Sequence, residues 1–124
     1  MRDCVHACVY LSGNVIVGSI VSVTSHASLV ELFSKNTVGQ EATILRTGNS
    51  FELVGRGGAN FAVEVPKDTD IALGDTALYP GLSESVIANV YAIDSNPQSS
   101  FKTVYLRIPG NVFQSKYVFV EKML

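Results

Sequence analysis

Cys4, His6 and Cys8 occupy alternate positions near the start of the chain, so an extended Asp3–Leu11 segment would set all three side chains on one face. Thiolate and imidazole are the ligands zinc prefers, and His26, the only other histidine, could supply a fourth. The spacing speaks against a metal, because zinc sites bring in their ligands on tight Cys-x-x-Cys turns and none occurs here. A strand of small, partly buried side chains is the simpler reading, and no metal or cofactor is expected. Nor is a Cys4–Cys8 bridge expected unless the segment is a tight loop. Four extended residues separate two Cα atoms by ~13 Å, whereas a disulfide needs less than ~7 Å.

Asp68, Asp70 and Asp75 are a second group that could hold a cation, but their spacing is not that of an EF-hand loop. Each stands where a turn favours aspartate. Arg56-Gly57-Gly58 precedes a strand pattern rather than a helix, so it is no phosphate cradle. Nucleophilic catalysis fares no better. No Gly-x-Ser-x-Gly or Gly-Asp-Ser-Gly turn occurs, and Gly74-Asp75 runs into Thr76 as the start of a strand. No catalytic residue is expected, and the chain reads as a binding or scaffold domain, not an enzyme. A chymotrypsin-like double-barrel hydrolase, degenerate or active, is the alternative from another class; it requires a histidine beside a nucleophile. A generic peptide-binding barrel with one deep apolar pocket is the third reading.

The elements that must hold these residues are strands. The chain is organised around Arg56–Asp75: a glycine hinge, one alternating strand, a proline stop and a polar link. Phe61, Val63 and Val65 point one way, and Asn60, Ala62 and Glu64 the other. Gly57 and Gly58 permit the positive φ of a reversal. Lys102–Ile108 alternates as cleanly, with Val104, Leu106 and Ile108 inward. Val15–Val23 is β-branched on both faces, and Gly18 within it suggests a bulge or a close backbone approach. Ser28–Phe33 fits a short capping-box helix, but in this setting it is read as a strand. Ser12-Gly13-Asn14, Thr47-Gly48-Asn49, Pro80-Gly81 and Asn96–Ser100 are turns. Nine or ten short strands so punctuated, from Asp3 to Val120, give an all-β barrel or sandwich.

At 124 residues this is one β-barrel module over 1–124, with two subdomains as the open alternative: about 13–55 with the C-terminal strands, and about 60–100. An apolar share of 47% excludes a disordered tail. A net charge of −2 with no Lys/Arg cluster gives no footprint for nucleic acid. No apolar run is long enough to span a membrane, so no membrane insertion by this segment is expected.

In order, Gly13–Val23, Ser28–Leu32, Leu53–Gly57, Val65–Ile71, Gly74-Asp75, Pro80-Gly81-Leu82 and Phe101–Val120 resemble the extracytoplasmic β domain of the bacterial rod-shape-determining MreC family. The resemblance implies two small packed β-barrels of short antiparallel strands. It also implies a non-catalytic scaffold of the cell-elongation and peptidoglycan-synthesis machinery (the elongasome). Its setting would be the periplasm or extracytoplasmic membrane face, and its partners cell-wall synthesis and cell-shape membrane proteins. Homo-oligomers, dimers or filaments, are implied as well. Gly81–Ser85 is shorter than the family's Gly/Phe/Pro loop at this point, and the family's membrane helix, coiled coil and opening strands are not expected within this chain. Ser85–Ile93 and Lys102–Ile108 carry apolar residues on both faces, which either invites pairing with another chain or means that the second faces are covered internally. Arg56, Asn60 and the Leu82, Ser83, Glu84, Ser85 loop are the candidate partner-binding residues.

Overall fold

The computed structural model of this chain describes residues 7–37, 39–81, 85–110 and 117–122. Its strands are β1 (Ala7–Ser12), β2 (Val15–Val23), β3 (Ser28–Leu32), β4 (Gly39–Ile44), β5 (Ser50–Gly57), β6 (Asn60–Pro66), β7 (Thr76–Leu78), β8 (Val86–Ser95), β9 (Phe101–Arg107) and β10 (Phe119–Lys122). The all-β expectation holds.

Six strands pair in the order β8-β7-β4-β5-β6-β9, and a β8–β9 pairing closes them into an antiparallel barrel. The alternation in the sequence makes this possible. Phe61 pairs with Leu106 and Val63 with Val104, so this stretch of one side of β6 and β9 is apolar, until Val65 meets Lys102. Phe61, Leu106, Val104, Leu53, Ile44 and Ile87 are sealed from solvent inside. Burying side chains of this size stabilises the fold by about 1.5–3 kcal/mol each. The β5–β6 reversal uses three left-handed residues: Gly57 at φ 76°, Gly58 at 61° and Ala59 at 67°. The glycines adopt this freely, whereas Ala59 bears a steric cost of about 1–2 kcal/mol.

The remaining strands form an open antiparallel sheet, β10-β1-β2-β3. It joins the ring where β2 meets β8 in parallel at Val15 and Val86, and the Val86 amide donates to the Asn14 carbonyl at 2.7 Å. Gly18 shows the close approach expected of it: a Cβ there would run into the Glu31 carbonyl oxygen across the β2–β3 pair. Gly55 is a second such place, since a Cβ on it would strike the backbone of Ser34 and Lys35 in the β3–β4 connection. That connection is pinned to the ring by the Gly57 amide donating to the Ser34 carbonyl at 2.8 Å. Phe33, buried, packs on Tyr79 with ring centroids 5.5 Å apart.

Ser28–Leu32 is a strand because β2 offers it a ladder, which outweighs the short helix its local residues would allow. β4 and β5, which the sequence grouped with the N-terminal strands, pair inside the ring with β7 and β6. The two-sided apolar character of β8 is satisfied internally along Ile87–Val90, while Tyr91 beyond it is left exposed. β8 lies between β7 and β9, touches β2, and buries Ile87, Ala88 and Val90.

Candidate interaction surfaces

The free edges of the described residues belong to β3 and β10, each paired on one side only. Along β10, Val9 pairs with Val120 and Tyr10 with Phe119. The β1 members of these pairs are buried, while the β10 members are 54% and 64% exposed. Tyr117 and Val118 just before them are also open to solvent. Phe119 and Val120 form one wall of a groove of about 570 Å³, whose other walls include Tyr10, Asn14 and Ser85. The site is the free edge of a strand paired on one side only, with Phe119 and Val120 exposed, beside a groove. Chemically it can accept a further strand through its backbone and apolar side chains through its faces.

A second surface runs across the outside of the ring. The Arg107 guanidinium lies 4.8 Å from the Tyr91 ring centroid, Tyr91 and Tyr105 are 6.4 Å apart, and Arg56 lies 5.6 Å from the Tyr105 ring. β5, β8 and β9 supply these residues, while β6 contributes Ala62, opposite Tyr105 on one side and Val54 on the other. A single methyl at that point leaves Arg56 room to reach over β6 to Tyr105.

Arg56, a candidate partner-binding residue, stands on an exposed surface. Asn60 is committed to the hairpin, donating through Nδ2 to the Gly58 carbonyl at 3.0 Å. Ser85 is buried at the seam, with its Oγ 3.0 Å from the Tyr10 hydroxyl. Leu82, Ser83 and Glu84 lie outside the described residues, as do Cys4 and His6. Sequence reasoning missed Tyr91, Tyr105 and Arg107. Tyr91 is fourteen or more positions from the other two, and only the β8–β9 register sets it beside them.

Cys8 is fully buried on β1 and is disulfide-bonded, so it has no thiolate to offer a metal. Cys4 is the one other cysteine in the chain. A bridge to Cys4 was expected only if the segment were a tight loop, and Cys4 lies outside the described residues. His26 sits exposed in the β2–β3 turn, where Thr24 and Ala27 close on each other.

Asp70 and Asp75 serve a structural purpose. Arg46 donates through Nε and Nη2 to Asp75, both at 2.9 Å, and through Nη1 and Nη2 to Asp70 at 3.2 and 2.9 Å. Asp75 also accepts from the Ala72 amide at 2.9 Å. Hydrogen bonding to Arg46 is the largest cause holding both carboxyls below their ordinary range, and Arg46 is raised in turn. The clamp ties the end of β4 to the link before β7.

No curated protein matches this chain. Among solved structures, the crystal structure of MreC from Pseudomonas aeruginosa superposes with a TM-score of 0.79 at 21% identity, over 93% of this chain and 78% of that one. A second, described as MreC, gives 0.74 at 20% identity, over 95% and 69%. These likenesses bear on the fold. Membership comes from the family model for the rod shape-determining protein MreC, barrel core, which matches residues 6–122 and so spans both the ring and the open sheet. The chain belongs to the MreC family of cell-shape-determining proteins.

Proposed function

We propose that this domain is a non-catalytic scaffold of the cell-elongation machinery. It holds cell-wall synthesis and cell-shape membrane proteins together by direct contact, and associates with further copies of itself. The observation that carries this reading is β10: a strand paired on one side only, with its Phe119 and Val120 and the preceding Tyr117 and Val118 exposed, beside a groove. A large apolar patch on a free backbone edge is a surface for another chain. Family membership supports the cell-shape context. The disulfide at Cys8 supports an oxidising compartment such as the periplasm.

Sedimentation velocity over a rising concentration series tests self-association. The wild-type chain shifts to larger species, and a Phe119→Lys/Val120→Lys variant, whose charges block strand addition, stays monomeric. A wild-type chain that remains a monomer throughout would overturn the self-association part of the reading.

A further inference from the structure

The row Arg107–Tyr91–Tyr105–Arg56 is not accounted for by fold stability. Tyr91 is 41% exposed, both arginines are exposed, and neither tyrosine belongs to the buried core. Arg46 and Lys35 have carboxylate partners, but among the described residues no carboxylate lies within ion-pair distance of Arg56 or Arg107. Each guanidinium spends one face on a ring and keeps its N–H edges as donors. Arginine and tyrosine are the side chains that dominate binding energy at protein interfaces.

The charges around the row are arranged with a direction. Register places Asn60 and Asn89 on either side of Arg107, with no acid beside it. Two residues along β9 from Tyr105, on the same face, Thr103 has Glu64 on one side and Asp94 on the other, both exposed. The face is thus cationic at the Arg56/Arg107 end and anionic at the Glu64/Asp94 end. A groove of about 500 Å³ opens beside Arg107, lined by Asn89, Tyr91, Pro109 and Gly110 among others. The Oδ1 of Asn89 is taken by the Thr76 hydroxyl at 3.1 Å, which leaves its NH2 as a further donor.

We propose that this face is a docking surface for an acidic segment of a partner protein. Carboxylates of the partner are held by the free N–H edges of Arg107 and Arg56, and an apolar or aromatic side chain between them lies against the Tyr91–Tyr105 pair. Guanidinium–carboxylate pairing is the charge-assisted, bidentate contact this geometry suits. The chain's net charge of −2 makes such a basic spot a local feature, which sets it apart from a general attraction for polyanions. The inference goes beyond the scaffold reading, because it stands or falls whether or not β10 mediates self-association.

The test is NMR titration of the isotopically labelled chain with a capped glutamate–tyrosine copolymer peptide. Capped polyglutamine and an oligothymidylate serve as parallel probes. Shifts centred on Arg56, Asn89, Tyr91, Tyr105 and Arg107 are expected with the acidic peptide and not with polyglutamine. Binding should weaken about tenfold in Arg56→Gln/Arg107→Gln, and by a smaller factor in Tyr91→Ala. Both variants alter exposed side chains, and an unchanged spectrum elsewhere verifies the fold. The proposal is overturned if the acidic peptide perturbs no such cluster, if the double glutamine variant binds it equally well, or if the oligothymidylate binds this face more tightly. The Phe119→Lys/Val120→Lys variant should bind the peptide as wild type does. Its failure to do so would also count against a separate surface.

Discussion

The ring of β4–β9 and the open sheet β10-β1-β2-β3 are built from the same kind of residue and come out differently. In the ring every strand has two neighbours, and the apolar faces converge on Phe61, Leu106 and Leu53. In the sheet, β1 is buried along Ala7–Leu11 while its neighbour β10 leaves Phe119 and Val120 exposed. What separates them is closure. A closed ring satisfies its own edges, whereas an open sheet ends in two strands with unpaired amides and carbonyls. Stability is therefore expected to concentrate in the ring and interaction at the sheet's edge and on the ring's outer face.

The comparison is tested most severely by two phenylalanines. Phe61→Ala should cost about 3–5 kcal/mol in denaturant unfolding, since it empties a sealed position. Phe119→Ala should cost less than about 1 kcal/mol while reducing self-association in sedimentation. Equal losses of stability would erase the distinction drawn here. The clamp comes next. Asp75→Asn should destabilise the chain by about 1–2 kcal/mol at neutral pH, because Arg46 and the Ala72 amide lose an ionised acceptor. The Asp75 carboxyl is depressed in the fold chiefly by its hydrogen bond from Arg46. Its contribution is then complete above the unfolded value of ~3.9 and fades as pH falls through the lower folded value. Wild type should lose stability over that acid range, and the asparagine variant should show a flatter curve there. A parallel pair of curves would show that the clamp is not what acid disrupts. Smallest of all, Ala59→Gly should raise stability by about 0.5 kcal/mol, the left-handed cost relieved less the lost methyl contact and the added chain entropy.

The candidate surfaces were only partly legible. Arg56 stood out as a charged residue next to a glycine hinge, and it does lie on an exposed surface. Asn60 and Ser85 stood out on the same grounds, yet their side chains are spent on a turn and a seam. Turn chemistry and partner binding call for the same polar residues, so local sequence cannot separate them. The edge at β10 was missed because Tyr117–Val120 reads like any other apolar strand. Which strand is left without a second neighbour is a property of the pairing order.

Period-two alternation along Asn60–Pro66 and Phe101–Arg107, with glycine and proline turns between runs, was enough to dictate strands, their inward faces and an all-β class. Those choices depend on neighbours within a few residues, which the sequence displays directly. Closure of the ring, the burial of Ile87 and Ala88 on opposite faces of β8, the meeting of Arg107 with Tyr91 and the Arg46 clamp were decided by tertiary structure. Most of these bring together residues more than ten positions apart, through registers that many alternating strands could satisfy equally well, and only the packing of the whole chain selects among them.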